Sequence, residues 1–399
     1  MTVKREILFL AHRIPYPPNK GDKIRSWRML KHLAERFDVH LAAFVDDEKD
    51  FQHKEFLTSM CKSAVLAPLD PKHARIRSLR GLMSGAPLSF PYYSDARMRA
   101  AIDEIRARPL TAEVVFSSAM APYIASPRGE RARIVDLCDA DSEKWRQYAG
   151  ETGFPMNLVY RREAEKLAAA ENDIVRWADK SFAISEAEAA IFNDRHAPGD
   201  PRVDWWSNGV DTDYFSPQAQ TDAIDTSPDV VFVGAMDYRA NVDAVLYFCD
   251  EVWPGVRAAL PEATFAIVGA NPEERVVALG ARAGVTVTGR VDDVRPWIAA
   301  SKLAVAPMRI ARGVQNKVLE AMAMARPVVA TRAAMTGVFH TPGRDAIVED
   351  APDAMAGAIT GLLQDAEARI KLGAAARARI LADYQWSDVI ARFDAALPE

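Results

Sequence analysis

The chain has 399 residues, of which 49% are hydrophobic and 26% are charged, with a formal net charge of −5. This composition excludes a disordered chain, and the length exceeds what one hydrophobic core usually serves, so we expect two domains. No apolar run approaches the ~18–20 residues that cross a bilayer. Three scattered cysteines, Cys61, Cys138 and Cys249, match neither a zinc site nor a disulfide framework, which favours a cytoplasmic protein.

The charge is divided unevenly along the chain. Residues 1–133 contain 23 Lys and Arg against 15 Asp and Glu, whereas residues 134–213 contain 9 against 17 and residues 214–399 contain 18 against 23. The basic part includes Arg75, Arg77 and Arg80, followed by the aromatic stretch Leu88–Tyr93. Such a segment suits an anionic membrane surface or a lipid-linked phosphate, and a solvated helix face explains it as well. No nucleic-acid-binding motif occurs, so no nucleic-acid partner is expected.

Short apolar runs alternate with helical patterns in the first half of the chain. Runs that are apolar on both faces are typical of parallel strands covered by helices. The predicted strands are Ile7–Ala11, Val39–Val45, Ala64–Ala67, Glu113–Ser117, Arg133–Leu137 and Lys180–Ile184. The main predicted helices are Ile24–Phe37, Pro71–Met83, Ser94–Ala107 and Asn157–Trp177. Together they predict a doubly wound α/β domain over residues 1–213.

A second series of the same kind follows residues 212–229, which are rich in Pro, Ser, Thr and Asp and are interpreted as a linker. Its predicted strands are Val230–Val233, Thr264–Val268, Val285–Thr288, Leu303–Ala306, Val328–Ala330 and Ala346–Val348. They predict a second Rossmann-like domain over residues 214–383, and a last amphipathic helix lies within residues 384–399. Ligands of such sheets bind at the carboxyl ends of the strands, so we expect a cleft between the two domains to hold the site.

The most informative segment is residues 311–330, which read ARGVQNKVLEAMAMARPVVA. It predicts a loop, a helix, a tight turn and a buried strand. Gly313 allows a ligand to approach the backbone, and the first helical turn offers free N–H groups to a phosphate. Glu320, within the helix, could accept hydrogen bonds from two ribose hydroxyls. Phosphate and ribose contacts on one helix indicate a nucleotide site.

The same segment supplies cations for a leaving diphosphate. As the bond between a sugar and a nucleoside diphosphate breaks, negative charge develops, and fixed positive groups stabilise it. Lys317 and Arg312 are the candidates, and Asn316 lies beside Lys317. An exposed helix lysine and a surface carboxylate would explain Lys317 and Glu320 equally simply, but their dense apolar neighbours favour a functional role.

A second strand-to-helix loop, VFVGAMDYRANVDA, has similar features. Gly234 ends its strand, Asn241 is predicted to cap the next helix, and Arg239 is placed where it could meet a phosphate, although a solvated loop arginine is the simple alternative. Gly289–Asp293 forms another such loop, in which Arg290 and the backbone could hold a nucleobase, or which could be an ordinary turn with an aspartate cap.

Two features of the first domain are less specific. Gly21, in the loop Pro15–Lys23, precedes a helix and could bind an anion or a sugar, or the loop could be a plain connection. The acidic segment IVDLCDADSEKW has the composition of a metal site, but no histidine supports it, so a structural or acceptor-facing loop is expected. His12 follows the first strand and could touch a substrate, although a lone histidine is more often structural.

The motifs taken together resemble the group 1 family of retaining GT-B glycosyltransferases, also called family 4. The resemblance rests on the Gly21 loop, ISEAE at Ile184–Glu188, SNGVDTDYF at Ser207–Phe215, VGAMDY at Val233–Tyr238 and NKVLEAMAMARPVVA. HRIPYPPNKGDKIRSW, FSSAMAPY and DLCDADSEKW further resemble the sugar transferases associated with exosortase and PEP-CTERM exopolysaccharide systems. This implies two Rossmann-like domains facing across a cleft, with the last helix near Trp386–Leu397 packed back on the first.

The resemblance implies transfer of a sugar from a nucleotide sugar to a lipid-linked or saccharide acceptor, with retained anomeric configuration and without a metal or cofactor. The second domain would bind the donor, and the first domain would bind the acceptor. The first domain could also contact the inner face of the plasma membrane. Glu320 would hold the ribose, and the backbone N–H groups of Val318 and Leu319 would meet the diphosphate. The expected catalytic residues are Lys317, Glu320 and Arg239. The expected donor-binding residues are Gly21, Gly234, Asn241, Arg290, Arg312, Gly313, Val314, Asn316, Val318 and Leu319.

Three positions depart from the family pattern. Arg312 stands where the family's Glu-x(7)-Glu has its first glutamate, the usual Arg and Lys-Gly pair is reduced to Arg239 and Asn241, and the usual histidine after the fourth strand is replaced around Ser118. Lys317 is expected to supply the missing charge. A nucleotide-sugar epimerase or hydrolase on the same fold, and a non-catalytic nucleotide-sugar-binding protein, therefore remain alternatives.

Overall fold

The computed structural model describes residues 4–125, 129–197, 199–220, 222, 224–311 and 313–398. The chain divides into two compact units, Met1–Trp206 with Ala391–Glu399, and Ser207–Ile390. These units are defined by contacts between residues. The expected domain boundaries after residues 213 and 383 are not tested by them and stay predictions. Among the described residues, no helix combines the length and the apolar character that crossing a bilayer needs.

The strands described in the first unit form one parallel sheet, in the order β3-β2-β1-β4-β5-β6-β7. They are β1 Glu6–Ala11, β2 Asp38–Val45, β3 Ser63–Pro68, β4 Ala112–Phe116, β5 Ala132–Cys138, β6 Lys180–Ala183 and β7 Val203–Trp205. The strand order reverses between β1 and β4. In open parallel sheets this reversal leaves a crevice at the carboxyl ends of the two strands, where ligands bind.

The strands described in the second unit form another parallel sheet, in the order β10-β9-β8-β11-β12-β13. They are β8 Val230–Val233, β9 Phe265–Val268, β10 Val285–Gly289, β11 Leu303–Ala306, β12 Val328–Ala330 and β13 Ile347–Val348. Its order reverses between β8 and β11, so the loops after these two strands border the corresponding crevice. Two doubly wound Rossmann-like sheets confirm the predicted α/β class.

Helices connect the strands of both units. Those of the first unit are α1 Gly21–Arg36, α2 Lys54–Met60, α3 Pro71–Ser78, α4 Arg80–Ser84, α5 Ser89–Tyr92, α6 Ala96–Arg106, α7 Asp141–Glu151, α8 Met156–Trp177 and α9 Glu186–Asn193. Those that follow are α10 Arg239–Tyr247, α11 Trp253–Ala259, α12 Glu274–Val277, α13 Arg295–Ala300, α14 Asn316–Ala323, α15 Arg332–Met335, α16 Pro352–Gln364, α17 Ala366–Asp383, α18 Trp386–Val389 and α19 Ala391–Asp394. Short 3-10 or π turns occupy Glu48–His53, Ser118–Tyr123, Phe248–Val252 and Ala278–Ala281.

The central strands are buried on both faces, which explains their long apolar runs. In β1, the side chains from Ile7 to Ala11 have no exposed surface, and the same holds for Val230, Val231 and Phe232 of β8. Helices cover each sheet with one apolar face, as Met29, Leu30 and Leu33 of α1 do. The loops at the strand ends are thus held by rigid strands below them.

The structure differs from the prediction at the last helix. The single amphipathic helix expected up to Leu397 is divided into α18 and α19. Phe393 of α19 stacks on Trp206 at 5.6 Å between ring centroids, and Asp394 Oδ1 lies 2.6 Å from His32 Nε2. These tertiary contacts, rather than the helical pattern alone, decide where the last turn lies. The predicted helix Pro71–Met83 is likewise divided, into α3 and α4, around Leu79.

Candidate functional site

Helix α14 presents one face to the core and another to solvent. Val318, Leu319 and Met322 are buried, whereas Lys317 and Glu320 lie on the other side and are half-buried. Gly313, in the loop before the helix, has φ 60°, a left-handed conformation that glycine adopts without strain. This loop follows β11, so the sheet places the N-terminus of α14 at the strand-order reversal.

The first turn of α14 offers free amide groups two residues earlier than predicted. The N–H groups of Val318 and Leu319 donate to the carbonyl oxygen of Gln315, at 2.9 and 3.4 Å. Within the described parts of the chain, the preceding N–H groups of Asn316 and Lys317 have no acceptor. Unpaired N–H groups at a helix N-terminus suit an anion. The amides available to a diphosphate are therefore those of Asn316 and Lys317.

Lys317 contacts side chains from strand β8, from the loop after β11 and from helix α10. Its Nζ donates to Asn241 Oδ1 at 2.5 Å, lies 3.8 Å from the sulfur of Met308, and lies 4.7 Å from the centre of the Phe232 ring. Burial lowers the pKa of Lys317 to about 8, and the Glu320 carboxylate partly offsets this effect. The ammonium group is thus mostly charged at neutral pH and lies in apolar surroundings, where its field is strong.

Asn241 does not cap its helix, which corrects the sequence prediction. Helix α10 begins at Arg239, with Tyr238 before it, and Asn241 lies within its first turn. The buried Asn241 side chain instead donates to the carbonyl oxygen of Ala235 at 2.8 Å and accepts from Lys317. A Cβ at Gly234 would come within 2.6 Å of Asn241 Nδ2. Gly234 is therefore required because the asparagine amide packs directly against its backbone.

Glu320 lies one helical turn from Lys317 and has no hydrogen-bond partner for its carboxylate among the described residues. Burial raises its pKa to about 7, against the opposing effect of Lys317. Its charge also reaches Tyr214, whose pKa is raised by burial and by the Asp293 and Glu320 carboxylates. A half-buried carboxyl group without a partner costs stability, which is typical of groups that gain their partner from a ligand.

The remaining residues that were predicted to bind the donor make fewer contacts with Lys317 and Glu320. Asn316 Oδ1 accepts from Asn208 Nδ2 at 3.0 Å, and Val314 is buried in the loop before α14. Arg239 is exposed at the start of α10, and Arg290 is exposed just after β10. Arg312 lies outside the described residues. Gly21 begins α1 in the first unit. Contacts thus join Lys317, Asn241 and Gly234, whereas Arg290 makes no contact with them within the described part of the second unit.

Several neighbours of this site had no predicted role. Asn208 belongs to the SNGVDTDYF motif, which marked the family resemblance without assigning the residue a contact. Tyr214, from the same motif, lies under the Arg295 guanidinium, 3.7 Å from its ring centre, and Arg295 pairs with Asp293 at 2.6 Å. This aromatic and guanidinium pair near Glu320 offers a flat surface on which a nucleobase can stack.

The first unit has a polar cluster at its own strand-order reversal. His12, after β1, places Nε2 3.2 Å from Asp22 Oδ2, and its ring stacks on Phe116, the last residue of β4, at 5.5 Å. Arg13 pairs with Asp22 and with Asp46, the latter at 2.8 Å. The hydrogen bond from His12 and the charge of Arg13 hold the pKa of Asp22 well below its usual range, against the effect of burial. His12 Nδ1 and Asp46 Oδ1 are buried without a partner in the structure.

The acidic segment at the end of β5 and the start of α7 is largely engaged in packing. Asp136 is buried against Arg25, and Asp141 begins α7. Burial and the nearby Glu188 and Asp141 carboxylates raise the pKa of Asp139 to about 7. Among the described residues, no group of His, Cys, Asp and Glu is arranged to hold a metal ion. Ser117 precedes Ser118, around which the family's usual histidine is replaced. Ser117 is buried and has φ 77°.

Comparison with known proteins finds a family model that matches most of the second unit. Residues 227–365 match the family model described as "Glycosyl transferases group 1". A GDP-mannose-dependent monoacylated alpha-(1-6)-phosphatidylinositol monomannoside mannosyltransferase from Corynebacterium glutamicum is 27% identical over 207 residues, or 47% of this chain. The match spans about half of that relative, 53% of its length.

Solved structures resemble the chain over nearly its whole length. Anabaena HepE, in complex with UDP and glucose, has a TM-score of 0.68 at 16% identity and covers 98% of this chain and 99% of its own. Sucrose-phosphate synthase from Thermosynechococcus elongatus has a TM-score of 0.73 at 16% identity, with 98% of both chains covered. WaaG, a glycosyltransferase involved in lipopolysaccharide biosynthesis, has a TM-score of 0.69 at 17% identity and covers 98% and 100%. The fold is that of GT-B proteins. The family match of residues 227–365 shows that this part of the chain is similar to group 1 glycosyltransferases.

Proposed function

We propose that this GT-B protein is a glycosyltransferase whose second unit binds a nucleotide-sugar donor. The observation that carries the proposal is the partly buried contact between Lys317 and Asn241, which fixes a positive charge beside the free N–H groups of Asn316 and Lys317. Glu320 lies on the same helix without a partner. A cation with free amides suits a diphosphate, and an unpartnered carboxylate suits ribose hydroxyls.

The donor is oriented along α14. Lys317 and Glu320 are three residues apart, so about 4.5 Å of helix rise separates them. The diphosphate meets the amides of Asn316 and Lys317 and the ammonium group of Lys317, while the ribose lies toward Glu320. The base then reaches the side of Glu320 that faces Tyr214 and Arg295. Arg239 and Arg290, both exposed, are the further cations from which the donor draws contacts.

Transfer proceeds with retention of the anomeric configuration and without a metal. The bond between the sugar and the diphosphate breaks while the acceptor hydroxyl attacks from the same face, and the departing diphosphate oxygen takes the hydroxyl proton. Lys317, Arg239 and the helix N–H groups stabilise the charge that develops on the leaving group. The family resemblance supports this course, since its members are retaining enzymes.

The acceptor is a lipid-linked or saccharide hydroxyl compound bound by the first unit, in exopolysaccharide biosynthesis at the cytoplasmic face of the membrane. Two neighbours lend support: the Corynebacterium relative acts on a phosphatidylinositol mannoside, and WaaG functions in lipopolysaccharide biosynthesis. The polar cluster around His12 lies at the strand-order reversal of the first unit, where such a ligand is expected. Asp22 Oδ2 lies 3.2 Å from Nε2 of His12, which holds the ring in place within this cluster.

A thermal-shift screen with UDP and GDP sugars tests the proposed function directly. A ligand that binds the native state stabilises it by about 2.7 kcal/mol at a hundred times its Kd. We expect one donor to raise the Tm of the wild type and to do so far less for Lys317→Ala. The wild type should then release the nucleotide when a membrane extract supplies the acceptor. If no nucleotide sugar stabilises the wild type, the donor assignment is wrong.

Donor affinity is expected to peak between pH 7 and pH 8. Lys317, with a pKa of about 8, loses its charge above that range, and Glu320, with a pKa of about 7, loses its charge below it. The diphosphate binds the charged lysine and ribose hydroxyls bind the ionised carboxylate, so Kd rises on both sides, by up to about tenfold per pH unit. Titration calorimetry at several pH values measures this profile. Lys317→Arg should remove the alkaline limb because arginine stays protonated, and a profile that is flat in the wild type would contradict the assignment.

His12→Ala is expected to impair transfer without weakening the donor. The variant removes the ring that Asp22 and Phe116 orient at the acceptor side, so transfer of labelled sugar to a membrane extract should fall at least about tenfold. Thermal stabilisation by the donor should match that of the wild type. Unchanged transfer, or an equal loss of donor binding, would show that His12 has a structural role only.

A further inference from the structure

Large apolar side chains project into solvent from α3, α4 and the residue between them. Ile76 is 67% exposed, Leu79 55% and Met83 92%. The opposite face of the same helices packs on the unit, since Ala74 and Gly81 are buried. An amphipathic helix of a water-soluble protein normally buries its apolar stripe and exposes its charges. Here the apolar stripe is the outer face, so burial in the fold does not account for it.

A second segment extends the same exposed area. Phe154, 82% exposed, and Leu158, 53% exposed, lie between α7 and the first turns of α8. One turn further along α8, Arg162 Nη2 donates to the Gly81 carbonyl oxygen at 2.7 Å, and Glu163 accepts from the N–H of Leu88 at 2.7 Å. These bonds hold the beginning of α8 beside α4. These bonds place the two segments, 76–83 and 154–158, on neighbouring parts of the first unit.

Positive charges border this surface. Lys72, Arg75 and Arg80 are exposed on α3 and α4, and residues 71–94 contain four Lys and Arg but no Asp or Glu. The fourth, Arg77, turns inward and donates to the carbonyl oxygens of Pro91 and Tyr92 at 2.8 and 2.6 Å. The solvated-face interpretation of these charges explains the arginines, but it does not explain the exposed apolar residues between them.

We propose that this apolar–basic surface, residues 72–83 with 154–158, inserts into the interfacial region of a bilayer that contains anionic phospholipid. The tips of Met83, Leu79 and Phe154 enter the boundary between head groups and acyl chains, and Lys72, Arg75 and Arg80 meet lipid phosphates. Apolar side chains ringed by cations match this environment, and an exposed apolar patch of this kind otherwise favours aggregation. The inference deepens the proposed function, because it places the first unit where a lipid-linked acceptor would be.

Co-sedimentation with vesicles tests the surface without donor or acceptor. Wild type is expected to bind vesicles of equal parts phosphatidylglycerol and phosphatidylcholine, and to bind phosphatidylcholine vesicles far less. Met83→Asp combined with Arg80→Glu should lower the partition coefficient at least about tenfold. Ile370→Asp with Lys371→Glu is the matched control. It makes the same change of charge on α17 of the second unit, where Ile370 is 73% exposed, and should bind as the wild type does.

The possible outcomes separate this inference from the donor site. Circular dichroism and the rise of Tm with the donor verify that each variant is folded. If the double variant does not fold, Phe154→Asp replaces it in the vesicle experiment. Lost vesicle binding with unchanged donor stabilisation supports the surface. Equal binding by the wild type and the double variant, or no preference for anionic vesicles, overturns it. Wild-type dimerisation that the double variant abolishes, without vesicle binding, overturns it in favour of a second copy of the chain. Loss of donor binding alone would instead count against the proposed function.

Discussion

Lys317→Ala is expected to lower kcat/KM for the nucleotide-sugar donor at least about a hundredfold while the fold persists, through both weaker donor binding and a lower kcat. The Lys317 ammonium group lies 2.5 Å from Asn241 and beside the unpaired amides of α14. It is therefore positioned before the reaction and needs no rearrangement as charge develops on the leaving diphosphate. Phe232 and Met308 form apolar surroundings for the ammonium group. They strengthen the electrostatic field that the group exerts on the leaving diphosphate.

Glu320→Ala should differ from Lys317→Ala in which kinetic constant it affects. Ribose contacts are equal in the ground state and the transition state, so their loss raises KM more than it lowers kcat. Steady-state kinetics over a range of donor concentrations separate the two effects. Lys371→Ala, an exposed lysine on α17, is the control and should leave both constants unchanged. Wild-type turnover by both Lys317→Ala and Glu320→Ala would remove the site assignment.

Asp136→Ala is expected to destabilise the protein by about 3–5 kcal/mol. Asp136 and Arg25 have no exposed surface, and Arg25 Nη2 donates to Asp136 Oδ2 at 2.8 Å. The same carboxylate accepts from Trp206 Nε1 at 2.8 Å, and the guanidinium group lies 3.5 Å from the centre of the Trp206 ring. Without Asp136, the positive charge of Arg25 stays in the core with no counter-ion.

Urea unfolding followed by circular dichroism measures this effect on the first unit. Asp103→Ala, an exposed aspartate on α6 of the same unit, should change the unfolding free energy by less than about 0.5 kcal/mol. A loss below about 1 kcal/mol for Asp136→Ala would mean that water or another group compensates the arginine.

The central strands could be predicted because burial on both faces leaves a strong local pattern. The predicted and observed bounds of β8, β11 and β12 are the same, since each is a short, uninterrupted apolar run. Strand β7, Val203–Trp205, was missed because three residues, one of them Asp204, carry no such pattern. It lies at the edge of its sheet, where only one neighbouring strand specifies it.

The site could be predicted only in part, because its contacts join distant parts of the chain. Local sequence favoured Lys317 and Glu320 as a pair on one helix, but not the bond from Lys317 to Asn241, 76 residues away. For the same reason the cap prediction for Asn241 was wrong: a tertiary contact with Ala235 and Lys317 takes the side chain that a cap would use. The register of the first helical turn likewise moved the free amides from Val318 and Leu319 to the two residues before them.

The most direct measurement is a crystal structure of the protein with bound UDP or the donor that the thermal-shift screen selects. We predict diphosphate oxygens within hydrogen-bond distance of the Asn316 and Lys317 amides and of the Lys317 ammonium group, with the ribose hydroxyls on Glu320. A nucleotide bound elsewhere, with the N-terminus of α14 in contact with solvent alone, would contradict it.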